Sequence, residues 1–363
     1  MVFDIGVKPL PLPADTRDTR EAAKAVGLRY VSDQQSGISR IGAPGHFRYR
    51  GPDGKSIRDR ETLARIKSLV IPPAWTDVWI ARGADAHLQA TGRDARGRKQ
   101  YRYHPDFAQI RDAVKYAHLV EFAEALPGLR RRLKRDLRRP GLPREKILAA
   151  IVTLLEQTLI RVGNEDYARA NKSFGLTTLR NRHVKVRGAE VRFLFKGKSG
   201  KQWSLAVRDR RVSKVLRSCQ ELPGQHLFEY LGDDGAVHGV SSSDVNDYLR
   251  EITGRDITAK DFRTWAGTVK AAMGFREQDG PFTKKAVRSV IAGVAEELGN
   301  TVAVCRKCYI HPGVLAGFEA GTLRLHVPAR GRDGLNPQEL AVLAYLKRLA
   351  RHKRAAQAAK RRG

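Results

Sequence analysis

Residues 298–312, LGNTVAVCRKCYIHP, bring an Asn, two Cys, an Arg, a Lys, a Tyr and a His into a single short stretch. Two chemistries compete there. Cys305 and Cys308 have the spacing of a metal or redox pair, while Tyr309 follows directly as a candidate nucleophile, just before His311-Pro312 breaks the helix. A structural zinc site needs four closed ligands, yet no second Cys or His pair stands at zinc-finger spacing, and His311 is the only nearby candidate. A redox pair of the thioredoxin kind would follow a strand in a βαβ unit, whereas this pair lies in a helical stretch. The cysteines read as small residues on one helix face, and no metal site is predicted.

The other candidates are mainly cationic. GPDGKS (51–56) and FKGKSGK (195–201) suggest phosphate loops, but a P-loop requires a Gly ahead of the Gly-Lys pair where Tyr49 and Arg192 stand. ATP chemistry is not expected, and clusters of Asp and Glu able to hold catalytic magnesium are absent from the sequence. Arg161 ends an apolar helical run, where a lone Arg ordinarily serves as a C-terminal cap. Lys198 falls in a β-turn, where a Lys is ordinarily solvated. Lys260 and Arg263 are one helical turn apart and share a face.

The elements that must position these residues follow from patterning. Residues 1–27 read as a Pro-rich leader with a short helix, and residues 28–104 have a β texture broken by one helix that Pro72-Pro73 stops. After Asp106 the pattern turns helical, with a basic segment LRRRLKRDLRR and an apolar run ILAAIVTLLEQTLI. Alternation over 183–207 predicts a β-meander, and helices are expected at 208–221, 242–253, 258–273 and 283–298. The fold class expected is α+β, with an N-terminal β-rich domain (1–106), a mainly helical catalytic domain (107–363) and a basic tail (347–363) read as a counterion-like arm.

Composition narrows the partner. The 363 residues carry 68 Lys and Arg against 38 Asp and Glu, a formal net charge of +30. Such an imbalance repels itself and points to a polyanion, nucleic acid first. The basic residues are spread along the whole chain rather than along one amphipathic helix, which argues against a membrane surface, and no run of eighteen apolar residues occurs. Three cysteines make no disulfide framework, so a cytoplasmic setting is expected.

Taken in order and context, these segments resemble the type IB DNA topoisomerases, in their poxvirus and bacterial branch and most closely the bacterial enzymes. The likeness spans roughly residues 28–315 and rests on Arg161-x-Gly163 with GLTTLRNRHV downstream, FKGK, KDFRTW and LGNTVAVCRKCYIHP. It implies a two-lobed C-clamp around duplex DNA and a catalytic set of Arg161, Lys198, Arg263, Asn300 and the nucleophile Tyr309. Asn300 stands where the family usually has His, so a neutral hydrogen bond to phosphate is expected there rather than acid–base work; the competing reading is a cap for the helix beginning at Thr301. GRKQYRYHP resembles the sheet segment that enters the major groove, which makes Gln100, Tyr101 and Tyr103, together with Tyr167 and Lys260, the expected DNA contacts. The activity implied is relaxation of supercoiled DNA through a 3′-phosphotyrosyl intermediate, by a nucleoid-associated monomer that needs neither ATP nor a divalent metal. Tyrosine recombinases share the Arg/Lys/Tyr chemistry but usually show His-x-x-Arg where Lys260-Asp-Phe-Arg263 stands; a non-catalytic DNA-binding protein is the third reading.

Overall fold

Alternating apolar and polar residues between Ile38 and Tyr103 build an antiparallel sheet in the N-terminal unit. In the computed structural model, which describes residues 19–95, 97–278 and 282–362, a short helix α1 (Thr19–Ala25) precedes strands β1 (Ile38–Ile41) and β2 (Arg48–Arg50). Helix α2 (Arg60–Ser68), capped by Asp59, comes next, followed by β3 (Thr76–Ile80), β4 (Leu88–Arg93) and β5 (Lys99–Tyr103). The strand order is β2-β1-β3-β4-β5. Ile66 of α2 packs with Ile38, Val78, Ile80 and Ala90 of the sheet. Of the leader expected over residues 1–27, residues 1–18 lie outside the described residues.

The chain divides into compact units at Ala117/His118, beyond the change of texture read at 106/107. The physical reason is packing: Phe107 and Ile110, in the first turns of helix α3 (Pro105–Asp136), are buried with Ala22, Ala23 and Leu28 of the N-terminal unit. The basic segment read as a separate helix continues α3, which accommodates Pro127 in its interior.

In the second unit, the apolar run becomes the buried helix α4 (Arg144–Thr158), followed by the short α5 (Glu165–Asn171). The predicted meander is present as β6 (Val184–Arg187), β7 (Glu190–Lys196) and β8 (Gln202–Arg208). Helix α6 (Arg210–Gln220) leads to a hairpin that the sequence reading missed, β9 (Glu229–Leu231) and β10 (Val237–Gly239). Helices α7 (Ser242–Thr253), α8 (Ala259–Arg276), α9 (Lys284–Leu298), α10 (Val302–Cys308), α11 (Pro312–Glu319) and α12 (Pro337–Arg362) complete the unit. The basic tail expected as an arm is therefore the C-terminal part of α12. Helix α4 packs on α6, α7 and α8, while α8 also packs on α9, α11 and α12.

One carboxylate ties three of these helices. Glu339 of α12 accepts from both terminal nitrogens of Arg130 on α3 (2.9 and 2.8 Å) and from the indole N–H of Trp265 on α8 (3.2 Å). Burial pushes its pKa up, but the hydrogen bonds from Arg130 and Asn336 outweigh this and hold it below the ordinary carboxylate range. A depressed folded-state pKa contributes stability above the unfolded value, about 4.3, that is lost as pH falls through the lower folded value. Glu339→Ala should cost about 3 kcal/mol in urea unfolding at neutral pH, because Arg130 and Trp265 lose a buried partner. The deficit should shrink in acid; a deficit independent of pH would assign the loss to packing alone.

Candidate active site

Arg161 is not the cap of α4. That role falls to Leu159, in the left-handed region (φ +55°), whose N–H donates to the Leu155 carbonyl. The segment 161–163 then lies along 175–177: Leu176 N–H donates to Arg161 O (2.9 Å) and Thr177 N–H to Val162 O (2.7 Å). Glycine is required at 175, since a Cβ there would stand 2.6 Å from both Arg161 O and Gly163 Cα. So fixed, Arg161 donates through Nη2 to Gly299 O (3.2 Å) and to Asn300 Oδ1.

Helix α8 carries the second guanidinium. Its start is a capping box in which Asp261 Oδ2 accepts from Thr258 N–H (2.8 Å), so this acid is turned back on the backbone. Lys260 is exposed, whereas Arg263 is only 3% exposed. Arg263 donates to the carbonyls of Leu298 (2.6 Å) and Leu159, which end α9 and α4. Its Cζ lies 5.1 Å from the centroid of the Tyr309 ring. Burial pushes the Arg263 pKa down, and Tyr309 partly offsets this. Arg161 is lowered by burial first and by the like charge of Arg263 second. Both remain cations, since a guanidinium ionises above pH ~12.

Lys198 occupies the turn between β7 and β8, where Ser199 (φ +63°) and Gly200 (φ +80°) are both left-handed. Its Nζ stands 5.9 Å from the centroid of Tyr167, a ring set in place by α5, whose N-cap Asn164 accepts from Tyr167 N–H (2.8 Å). The hairpin is also fastened at its far side. Lys201 Nζ donates to Glu296 O (2.6 Å), and Trp203 packs so close to Gly299 that a Cβ there would lie 2.7 Å from the indole.

Tyr309 follows the last residue of α10, and its N–H donates to Cys305 O (2.9 Å). Thr301, not Asn300, is the N-cap of α10, accepting from Val304 N–H (3.3 Å). Asn300 instead supports Arg161, and its Nδ2 is buried without a hydrogen-bond partner among the described residues. His311 caps α11 through Nδ1, which accepts from Gly313 N–H (2.9 Å). Cys305 is fully buried, and burial pushes its thiol up to about 11, so it is unreactive at neutral pH. No metal-binding cluster of His, Cys, Asp and Glu occurs among the described residues.

Arg161, Tyr167, Lys198, Lys260, Arg263 and Tyr309 thus line one cavity of about 420 Å³. Among the described residues, none of its four cations pairs with a carboxylate. A larger cavity of about 960 Å³ lies among α8, α11 and α12, but its phenol, Tyr345, is engaged with Gly313 O (2.9 Å). Gln100, Tyr101 and Tyr103 belong to the N-terminal unit, on edge strand β5. Tyr101 is exposed and stacks on Tyr103 (6.0 Å between centroids), which itself packs against the buried core. Gln100 points to the opposite face, as strand alternation requires, and donates to Asp94 Oδ2 (2.9 Å).

A phenol set among unpaired cations is suited to phosphoryl transfer through tyrosine, with charge developing on phosphate oxygens. Comparison with known proteins agrees. Residues 104–319 match the family described as eukaryotic DNA topoisomerase I, catalytic core, and residues 46–94 match the bacterial DNA topoisomerase IB N-terminal domain. The chain belongs to the type IB DNA topoisomerase family. It is similar to DNA topoisomerase 1B of Acanthamoeba polyphaga mimivirus, 33% identical over 285 residues, covering 76% of this chain and 85% of that protein. DNA topoisomerase I of monkeypox virus and DNA topoisomerase 1B of vaccinia virus (strain Copenhagen) are each 24% identical over 267 residues, covering 70% of this chain and 80% of theirs.

Sequence reasoning missed the residues that seat Tyr309. Gly267 of α8 lies against the Tyr309 backbone, where a Cβ would meet Tyr309 O at 2.7 Å and Tyr309 Cβ at 3.2 Å. Beside it, the Thr268 hydroxyl donates to Tyr309 O (3.4 Å) and accepts from His311 N–H (3.1 Å). The available signal was a Gly inside a strongly helical segment, one turn beyond Arg263. Gly267→Ala should slow single-turnover DNA cleavage by about 10²-fold through misplacement of Tyr309. Helix propensity alone favours Ala by about 1 kcal/mol, so unchanged cleavage would show that this contact does not set the position of the tyrosine.

Proposed function

We propose that the chain relaxes supercoiled duplex DNA, without ATP or an essential divalent metal, by cutting and resealing one strand through Tyr309. The Tyr309 oxygen attacks phosphorus, its phenolic proton passing to water, and forms a 3′-phosphotyrosyl ester while the bond to the 5′-oxygen breaks. Lys198 supplies the proton that the leaving 5′-oxygen takes up. Resealing runs this in reverse: the 5′-hydroxyl attacks, its proton returns to Lys198, and the Tyr309 oxygen leaves and takes its proton back from water. The ester conserves the energy of the phosphodiester, so no nucleotide hydrolysis is needed.

The observation that carries this reading is the placement of the Tyr309 ring against buried Arg263, within a cavity shared with Arg161, Lys198 and Lys260. Arg161 and Arg263 act as a clamp on the non-bridging oxygens, because their planar forks match phosphate and stay charged. An ammonium can give up a proton where a guanidinium cannot, which fits Lys198 for the acid role. Asn300 orients Arg161 and offers its free amide N–H to the same oxygens. Tyr167, Lys260, Gln100, Tyr101 and Tyr103 are read as DNA contacts, and the net charge of +30 supports sequence-independent affinity for phosphates.

Plasmid relaxation with EDTA and no ATP, stopped with denaturant to trap the protein–DNA ester, tests the whole reading. Tyr309→Phe should yield neither ester nor relaxation while DNA binding persists; relaxation by that variant would displace Tyr309 as nucleophile. Asn300→Asp should cut single-turnover cleavage by about 10²-fold or more, because a carboxylate would neutralise Arg161 and repel the phosphate. A near-normal rate would remove Asn300 from the site.

A further inference from the structure

We infer that Lys201 is a positioning residue for Lys198. Lys201 lies in the same basic turn, FKGKSGK, where a second lysine would ordinarily be read as another phosphate contact. Its ammonium is instead committed: Nζ donates to Glu296 O at 2.6 Å, in the last turn of α9, while also standing 5.5 Å from the centroid of the Trp203 ring. The C-terminal turn of a helix attracts a cation through its unsatisfied carbonyls and its dipole.

The bond fastens one side of the turn that carries Lys198. Gly197 N–H donates to Lys201 O (2.8 Å), so Lys201 closes the loop. Trp203, the next inward-facing residue of β8, stacks on Phe195 and packs on Gly299. Gly299 and Asn300 in turn hold Arg161. Lys201 thus registers the hairpin against the same helix end that holds the clamp. Lys198 itself is exposed, and its backbone position depends on this fastening.

The inference rests on the reading of Lys198 as general acid, and the test separates the two. Single-turnover cleavage is measured on normal DNA and on DNA with a 5′-bridging sulfur at the scissile phosphate, whose thiolate leaves without a proton. Lys201→Met keeps the apolar stem on Trp203 and removes the ammonium. Expected is a loss of about 10- to 100-fold on normal DNA, relieved by sulfur as it is for Lys198→Ala. The salt dependence of DNA binding should match that of the parent protein. If sulfur rescues Lys198→Ala but not Lys201→Met, the positioning role is overturned while the acid assignment stands. Rescue of neither variant overturns the acid assignment and this inference with it. A normal rate for Lys201→Met, or a salt slope lower by about one, assigns Lys201 to solvent or to a phosphate contact and also overturns it.

Discussion

Cations gathered around one cavity must be held in place without being neutralised, and this constraint shapes the second unit. A carboxylate would fix a guanidinium well but cancel its charge. Main-chain carbonyls avoid that conflict, because a hydrogen bond from a charged donor is worth about 1.5–3 kcal/mol while the acceptor carries only a partial charge. The C-terminal end of α9 supplies most of them. Leu298 O holds Arg263, Gly299 O and the Asn300 side chain hold Arg161, and Glu296 O holds Lys201.

The geometry of that helix end follows from one glycine. Gly299 is left-handed (φ +59°) and closes α9 in a Schellman motif, with Gly299 N–H on Glu296 O (3.0 Å) and Asn300 N–H on Ala295 O (2.9 Å). The turn leaves the carbonyls of Leu298 and Gly299 free for guanidinium groups and sends the chain into α10 toward Tyr309. The same glycine leaves space for Trp203, so the Lys198 hairpin can dock beside it. Tyr309, the Arg161 and Arg263 guanidinium groups and the Lys198 hairpin are therefore referred to one structural point. Burial of Arg263 pushes its pKa down, which a guanidinium tolerates and an ammonium would not. That physical difference accounts for Arg at the buried position and Lys at the exposed one.

Acids are abundant in the unit but are used for architecture. Asp136 is buried under Arg132 and Tyr248 (2.7 and 2.8 Å), Asp261 caps α8, and Glu339 ties α3, α8 and α12. Each is engaged at a helix end or a helix–helix junction, and none pairs with a cation of the cavity among the described residues. The excess of positive charge can then act on DNA while the local pairs stabilise the fold.

The sequence by itself determined which elements form and which residue types could react. Local rules sufficed there: alternation marked the meander and an apolar run marked α4. Motif resemblance pointed to the type IB topoisomerase family, which the comparisons show, and through it to Arg161, Lys198, Arg263 and Tyr309. Other features depended on distant partners and were not legible. The β9–β10 hairpin is too short to show a period, and α3 runs through Pro127 because its packing outweighs the break. The domain boundary moved because Phe107 and Ile110 bury themselves among residues far upstream. Only the tertiary structure decided that Asn300 faces Arg161 rather than capping α10, that Gln100 donates to Asp94, and that Lys201 grips a carbonyl of α9. In each case the chain offered a polar side chain with several possible partners, and the partner was chosen by what folding brought within hydrogen-bond reach.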